Sequence, residues 1–331
     1  MRDEILIITN SEDATANLVI RHLRAMDQRF YRLDTDLIPS QSTLAMRLTG
    51  TTCCIRLSAG SMSQQLDCVK SVWHRRPTIP RALPSIKEEY SDFIEAEWRA
   101  CLWSLYTTLP AFWVNPPLVG HRLLEHNKLF QLKAAVQVGL MAPITLITND
   151  ASELVNFCES CDGVVAVKTI SGHFFKKSDG SEAFGIYTNP VSAEFIRAHI
   201  EDIRCAPVMA QEYVPKKFEL RVTIVGEKIF ACAIYSQDSE RTKHDWRRYD
   251  FERVKHESHQ LPSEIEGKLL RLMKIWGLRF GAIDMVLTPD DHYVFLEINP
   301  NGQWGWIEQL TGMPISQAIA ELLANPSKRE T

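Results

Sequence analysis

Residues 280–300 constrain this chain more than any other segment. They read Phe280-Gly-Ala-Ile-Asp284-Met-Val-Leu-Thr-Pro-Asp-Asp-His-Tyr-Val-Phe-Leu-Glu297-Ile-Asn299-Pro300, two apolar runs around a polar turn. The pattern predicts a covered β-hairpin. With Asp290-Asp291 as a two-residue tip, pairing counted outward sets Asp284 directly opposite Glu297. Cross-strand β-carbons lie about 5 Å apart, and Asn299, two residues on, points to the same face. Two acids so close need a neutralising partner. A hard divalent cation would serve, taking both carboxylates and the amide as oxygen ligands. A solvated acid pair is the bland alternative, and the apolar neighbours weigh against it; a shared proton is another.

A second hairpin spans residues 218–234, with Gly226-Glu227 suited to a type II′ turn. Glu219 and Arg221 share one of its faces. They form either a structural ion pair or a fork aimed at phosphate or acyl-phosphate oxygen. Val164–Lys168 is an apolar strand ending in a lysine, and a polar stretch with glycines follows, from Ser171-Gly172-His173 to Ser181. Lys168 either snorkels to solvent or joins that loop around phosphates. Gln211-Glu212-Tyr213-Val214 reads as a strand end before Pro215.

The N-terminus opens β-α-β: a strand at 5–9, a helix at 13–26 with Leu18, Val19, His22, Leu23 and Met26 on one face, and a strand at Phe30–Asp34. An α/β lobe is expected. It lacks both the G-x-G-x-x-G fingerprint and a Walker A loop. Weaker strands at 44–48, 54–57 and 71–75 follow, then a helix over 90–109 rich in aromatics. Trp98, Trp103, Tyr106, Phe112 and Trp113 pack in a core or form an interface. Asn115-Pro116-Pro117 closes this lobe. A helix over 127–138 has Asn127 as N-cap and Gly139 as its stop. A last helix lies at 315–323.

The 331 residues suit two or three lobes: an N-terminal α/β domain (1–115), a central subdomain with a phosphate-covering loop (116–210) and a C-terminal subdomain with the acid pair (211–331). A formal net charge of −4 gives no general pull toward nucleic acid or an anionic membrane. No stretch approaches the roughly 18 apolar residues of a membrane span, and the apolar run at 5–8 is too short for a signal peptide. A cytoplasmic protein is expected. The eight cysteines include one close pair, Cys158-x-x-Cys161, without the second pair a zinc site needs. They read as reduced thiols.

The order of these motifs resembles the ATP-grasp superfamily. Asn127-Lys128, Val165-Ala-Val-Lys168, Gln211-Glu-Tyr-Val214, Glu219-Leu-Arg221, Asp245-Trp-Arg247, Gly281-Ala-Ile-Asp284 and Glu297-Ile-Asn-Pro300 run in its order over about residues 115–325. Within it the chain resembles the graspetide (microviridin-type) peptide macrocyclases, through Val72-Trp-His-Arg-Arg-Pro77, Ser236-Gln237 and Asn299-Pro-Asn-Gly-Gln-Trp304 as well. The resemblance implies an ATP-grasp fold behind an N-terminal α/β pre-ATP-grasp lobe. It implies that Lys128 and Lys168 contact ATP phosphates. Gln211, Glu212, Tyr213 and Val214 would bind ATP, with Glu212 and Tyr213 as the hinge whose backbone reads adenine. Glu219 would hold the ribose, Arg221 and Arg247 would act at the γ-phosphate and acyl-phosphate, and Asp284, Glu297 and Asn299 would bind magnesium, two ions in all.

The implied reaction activates Asp or Glu side chains of a ribosomally made precursor peptide with ATP. It then joins them to Ser or Thr hydroxyls or Lys amines, as ω-esters or ω-amides. The partner is that peptide, with a leader segment and an acidic, hydroxyl-bearing core, and the resemblance favours a homodimer. After Pro300 the chain reads Asn-Gly-Gln-Trp-Gly-Trp rather than the Val-Gly-Glu-rich form of the microviridin enzymes, which leaves ester or amide selectivity open. His173, Glu308 and Asp238 are candidate general bases. A ligase adding amino acids to a protein or small-molecule acceptor, and a nucleotide-binding module without catalysis, are the competing readings. Trp73-His-Arg-Arg76 has no assigned role beyond a strand end with a solvated arginine pair.

Overall fold

The computed structural model describes residues 4–326 apart from positions 61, 67–68, 126, 171–173 and 176–183. The N-terminal lobe begins with β1 (Glu4–Thr9), α1 (Ala14–Ala25) and β2 (Phe30–Asp34). It continues through an antiparallel sheet of β3 (Thr43–Thr49), β4 (Thr52–Ala59) and β5 (Met62–Gln65), then β6 (Val69–His74), α2 (Ser91–Thr108) and β7 (Phe112–Val114). β2, β1, β6 and β7 form a parallel sheet in that order. Its inner strand β1 is a continuous apolar run, Ile5–Ile8, buried throughout, as a parallel strand covered on both faces requires. The aromatic cluster of α2 and β7 packs as core: Tyr106 and Trp113 are buried, with Trp98 and Trp103 against them and Phe112 against a second core.

The central section contains α3 (Lys128–Gln137), β8 (Thr145–Thr148), α4 (Ala151–Ser160), β9 (Val164–Lys168), a two-residue pair β10 (Phe174–Phe175) and β11 (Phe184–Gly185), β12 (Asn189–Ser192), α5 (Ala193–Ala198), α6 (Ile200–Cys205) and β13 (Val208–Glu212). Asn127 caps α3, its side chain accepting from the Phe130 N–H at 3.3 Å, and Gly139 ends it at φ 85°. The sheet order is β12-β9-β13-β8.

The last section holds β14 (Phe218–Val225), β15 (Lys228–Ile234), β16 (His256–His259), α7 (Ser263–Ile275), β17 (Phe280–Leu287), β18 (Tyr293–Asn299), α8 (Gly305–Thr311) and α9 (Ile315–Ala324). Its sheet runs β16-β15-β14-β17-β18, all antiparallel. α9 packs against the N-terminal lobe as well as its own section. Ile315, Ile319 and Leu323 share a core with Ile5, Ile7, Val19 and Trp73, and Leu323 C=O accepts from Ser71 Oγ at 2.7 Å. The C-terminal helix thus completes the N-terminal lobe. Among the described residues no helix is long and apolar enough to cross a membrane.

The hairpin of β17 and β18 departs from the expected geometry. Its tip has three residues, Pro289, Asp290 and Asp291, not two: the Asp291 N–H donates to Thr288 C=O, and Asp291 adopts φ 60°. Proline at the second position of a type I turn and an aspartate in the left-handed region suit this longer connection. Tyr293 therefore pairs with Leu287, one residue out of the expected register. A bulge then intervenes, because Met285 faces Phe295 while Asp284 faces Glu297, leaving Leu296 as the extra residue. The two offsets cancel, and the acids meet as expected.

Candidate active site

Asp284 and Glu297 stand opposite each other across β17 and β18. They line a cavity of about 630 Å³ together with Asn299, so the three expected metal ligands are brought together. Each acid already has a cation. Arg221, directly across on β14, places Nη1 2.8 Å from both Asp284 oxygens. Lys128 Nζ lies 3.1 Å from Glu297 Oε2. Burial pushes the Asp284 carboxyl up, and Arg221 only partly offsets this. Burial also pushes Glu297 up, but Lys128, Lys168 and Arg247 outweigh it and hold that carboxyl well below the usual range. The structural ion pair is therefore the state of Arg221 here, and the same guanidinium lines the cavity.

The loop after Asn299 is fastened from elsewhere in the chain. Asn299 Oδ1 accepts from the Asn301 N–H at 2.9 Å. Arg221 Nη2 donates to Gln303 C=O at 3.3 Å. Gly302 makes this approach possible: a Cβ there would sit 2.3 Å from Ala282 Cβ and 3.4 Å from Arg221 Nη2. Asn115 donates to the carbonyls of Phe280 (2.7 Å) and Pro300 (2.8 Å) and accepts from the Arg279 and Phe280 N–H groups, so its amide is fully used. Gln131 acts as a surrogate strand on the edge of β18, bonding both backbone groups of Ile298. Arg75, expected in solvent, is 1% exposed. Its Nη1 donates to Asn301 C=O (3.1 Å) and Gly302 C=O (3.0 Å), and its Nη2 to Gln303 Oε1 (2.6 Å).

A narrower cleft adjoins the cavity. It is lined by Gln211, Glu212, Tyr213, Val214 and Glu219, and by Lys128, Lys168, Arg247, Asp284 and Glu297, which ties residues 211–214 to the acid pair. Val286, Leu296 and Ala166 give it apolar walls. The bulge residue Leu296 and Glu297 after it both face this cleft, as a bulge allows. Gln211 is buried and its amide donates to Thr145 Oγ1 at 3.0 Å. Glu212 Oε1 accepts from the Ile144 N–H at 3.2 Å, which leaves Tyr213 and Val214 beyond the last strand pair. Lys216 holds Glu219 Oε1 at 3.0 Å and His244 C=O at 2.9 Å, and the Tyr213 hydroxyl pairs with His244 Nδ1 at 2.8 Å. Asp245 accepts Arg247 through Nε (2.8 Å) and Nη2 (2.5 Å), and the Thr188 N–H at 2.9 Å. Burial raises the Asp245 carboxyl, yet these bonds bring it down to about 2.

Lys168 lines both cavities, and among the described residues its side chain has no hydrogen bond or ion pair. Burial lowers its ammonium to about 8, with Glu297 opposing the shift. It is not a snorkelling surface lysine.

The expected general bases do not gather here. Glu308 caps the start of α9, accepting from the Ser316 N–H (2.6 Å) and Oγ (2.5 Å). Asp238 is exposed and lines neither cavity. His173 and most of the polar loop around it lie outside the described residues. The sequence reading missed Lys216, His244, Asn115 and Gln131, whose partners lie on separate segments.

The donor set, two carboxylates and an amide oxygen, suits a hard divalent cation. Among the described residues no group of three or more His, Cys, Asp and Glu side chains could hold a metal, so such an ion would complete its shell from phosphate or water. Cys158 and Cys161 are free thiols.

Comparison with known proteins follows this geometry. Residues 4–119 match the family described as the MvdD pre-ATP grasp domain. The macrocyclase MdnC from Microcystis aeruginosa MRC, solved bound with precursor peptide MdnA, is 34% identical over 97% of this chain and 99% of its own, with a TM-score of 0.85. A Chryseobacterium gregarium RiPP-associated ATP-grasp ligase, solved with ADP and a leader and core peptide, is 28% identical over 99% and 98%, with a TM-score of 0.91. The macrocyclase MdnB from Microcystis aeruginosa MRC is 31% identical over 97% and 99%, with a TM-score of 0.78. Among curated proteins no match is found.

Proposed function

The chain belongs to the graspetide family of ATP-grasp peptide macrocyclases, and from that premise we propose the reaction it performs and the residues that perform it. An ADP-forming ligase of this kind phosphorylates an Asp or Glu side chain of a ribosomally made precursor peptide. A Ser or Thr hydroxyl, or a Lys amine, then attacks the acyl carbon; phosphate leaves, and an ω-ester or ω-amide closes a ring. The observation that carries this reading is one continuous site, with a hinge segment at one end and a buried acid pair ringed by cations at the other.

In this assignment the Glu212–Val214 backbone and Gln211 border the adenine, between the apolar walls Ala166 and Leu296. Glu219 takes the ribose through the oxygen that Lys216 leaves open. Lys128 and Lys168 meet the phosphates, and of the two Lys168 has no acid partner among the described residues. Arg247, oriented by Asp245, and Arg221, oriented by Asp284, face the transferring phosphoryl group and the acyl-phosphate. Asp284, Glu297 and Asn299 would hold magnesium, two ions in this reading, whose chemistry when bound is to neutralise charge on phosphate oxygens.

The division at 115 and 210 into three units is part of the same assignment, as are a cytoplasmic location and a homodimer. The exposed apolar residues Leu129, Phe130 and Val136 on α3 and Ile275 on α7 support self-association. The test is mass spectrometry of small acidic peptides after treatment with enzyme, ATP and Mg²⁺. Ring closure loses about 18 mass units per bond, the mass of water, whereas an amino-acid ligase adds mass. ATP-dependent mass gain, or no ADP with any acidic peptide, would overturn the reading.

A further inference from the structure

The charges of the site divide unevenly. Five cations line the larger cavity: Arg76, Lys128, Lys168, Arg221 and Arg247. Three have acid partners: Lys128 with Glu297, Arg221 with Asp284 and Arg247 with Asp245. Lys168 and Arg76 have none among the described residues. Lys168 also lines the hinge cleft, so it lies where the nucleotide's phosphates run. Of the two cavities Arg76 lines only the larger, with Asn299, Asn301 and Gln303, and none of residues 211–214 lines that one.

Arg76 is also placed rather than loosely displayed. The Arg75 N–H donates to Ile8 C=O at 2.9 Å, extending the pairing of β6 with β1. The Arg75 side chain grips Asn301, Gly302 and Gln303. On the other side, Asn10 Nδ2 donates to Arg76 C=O at 2.7 Å. The backbone of residue 76 is thus fixed on both flanks at the cavity wall, while the residue is exposed and its guanidinium has no partner among the described residues. The ligase reaction brings two anions together, a triphosphate and a side-chain carboxylate. Among the described residues the site offers two unclaimed cations, one lining both cavities and one lining the larger cavity alone.

We propose that Arg76, contributed by the N-terminal lobe, docks the substrate's side-chain carboxylate on the acceptor side of the cavity; this rests on the ligase reading above. A planar fork of N–H donors matches a carboxylate through two parallel bonds, which an ammonium cannot reproduce. The ligand class is an Asp or Glu side chain of a peptide, presented to the phosphoryl group from the side opposite adenine. Arg76 is then a specificity-determining residue.

The experiment uses the full chain with ATP, Mg²⁺ and a pool of synthetic linear peptides, each carrying one Glu or Asp and one Thr, Ser or Lys. For peptides that wild type closes, R76A raises the peptide KM by about 10- to 100-fold, the scale of lost charge-assisted hydrogen bonds. R76K falls between, and the KM for ATP and the thermal midpoint stay in place. An unchanged peptide KM in R76A overturns the proposal. If wild type closes none of the peptides, the ligase reading fails instead. A second arm then decides the subsite without turnover: phenylglyoxal modification of Arg76, mapped by mass spectrometry in the presence of ADP and Mg²⁺. N-acetylglutamate methylamide slows it and the glutamine analogue does not; equal rates with both compounds contradict carboxylate docking.

Discussion

The two hairpins of the C-terminal sheet solve the same problem differently. β14 and β15 close through Gly226-Glu227, with Gly226 at φ 61°, and keep one register from Val225–Lys228 to Glu219–Ile234. β17 and β18 close through a longer tip and need the extra residue Leu296 before Asp284 meets Glu297. Without that bulge Asp284 would face residue 296, and Glu297 would turn to the opposite face of the sheet, because side chains alternate. The regular hairpin gives the sheet its frame; the irregular one places the acids.

Inserting one alanine between Leu296 and Glu297 should break this contrast most severely. With a single extra residue in the bulge, the insertion turns Glu297 and Asn299 away from the cavity, and peptide closure should fall about a thousandfold or more, the scale of losing several kcal/mol of charge stabilisation. Retained turnover, measured by ADP release with peptide, would show that the register does not make the site. Arg221→Ala comes next, because it removes from the regular hairpin the cation proposed to face the reacting phosphate. We expect about a 100- to 1,000-fold loss in kcat, with nucleotide binding far less affected; equal loss of both would reduce Arg221 to its ion pair with Asp284.

The third prediction concerns pH. Lys168 is charged below about pH 8 and loses its proton as pH rises through that value. kcat/KM for ATP should therefore fall with a limb near pH 8. The kcat limb should lie higher, because bound phosphate favours the ammonium, and Lys168→Met should remove both limbs. For stability the sign is opposite: between about pH 8 and the free lysine value near 10.4 the unfolded chain binds more protons, so this residue makes stability rise with pH. The smallest effect belongs to the regular hairpin's turn. Gly226→Ala places a side chain at positive φ and should cost about 1 kcal/mol in chemical denaturation, with turnover per folded molecule unchanged.

Much of this was legible in the sequence because it is local. Val164–Lys168 reads as a strand from its residues alone, the Gly226 turn from one glycine, and the Asn127 cap from its place before an apolar period. The facing of Asp284 and Glu297 was reached from a tip one residue too short, and a bulge that no pattern announces restored it. What could not be read is long-range. Arg75 reaches the 301–303 loop across more than two hundred positions, and Asn115, beside the prolines that close the first lobe, clamps the start of β17 to the end of β18. Glu308 looked available as a base because its partner, Ser316, is claimed only once α8 and α9 are folded together.

The central claim is that Asp284, Glu297 and Asn299 form one magnesium-nucleotide site. Calorimetric titration of ADP into wild type and into the E297Q/N299A double variant, each with and without Mg²⁺, tests it most directly. The account predicts that Mg²⁺ strengthens ADP binding to wild type and makes no difference to a double variant that is still folded. The same magnesium dependence in both proteins would contradict it.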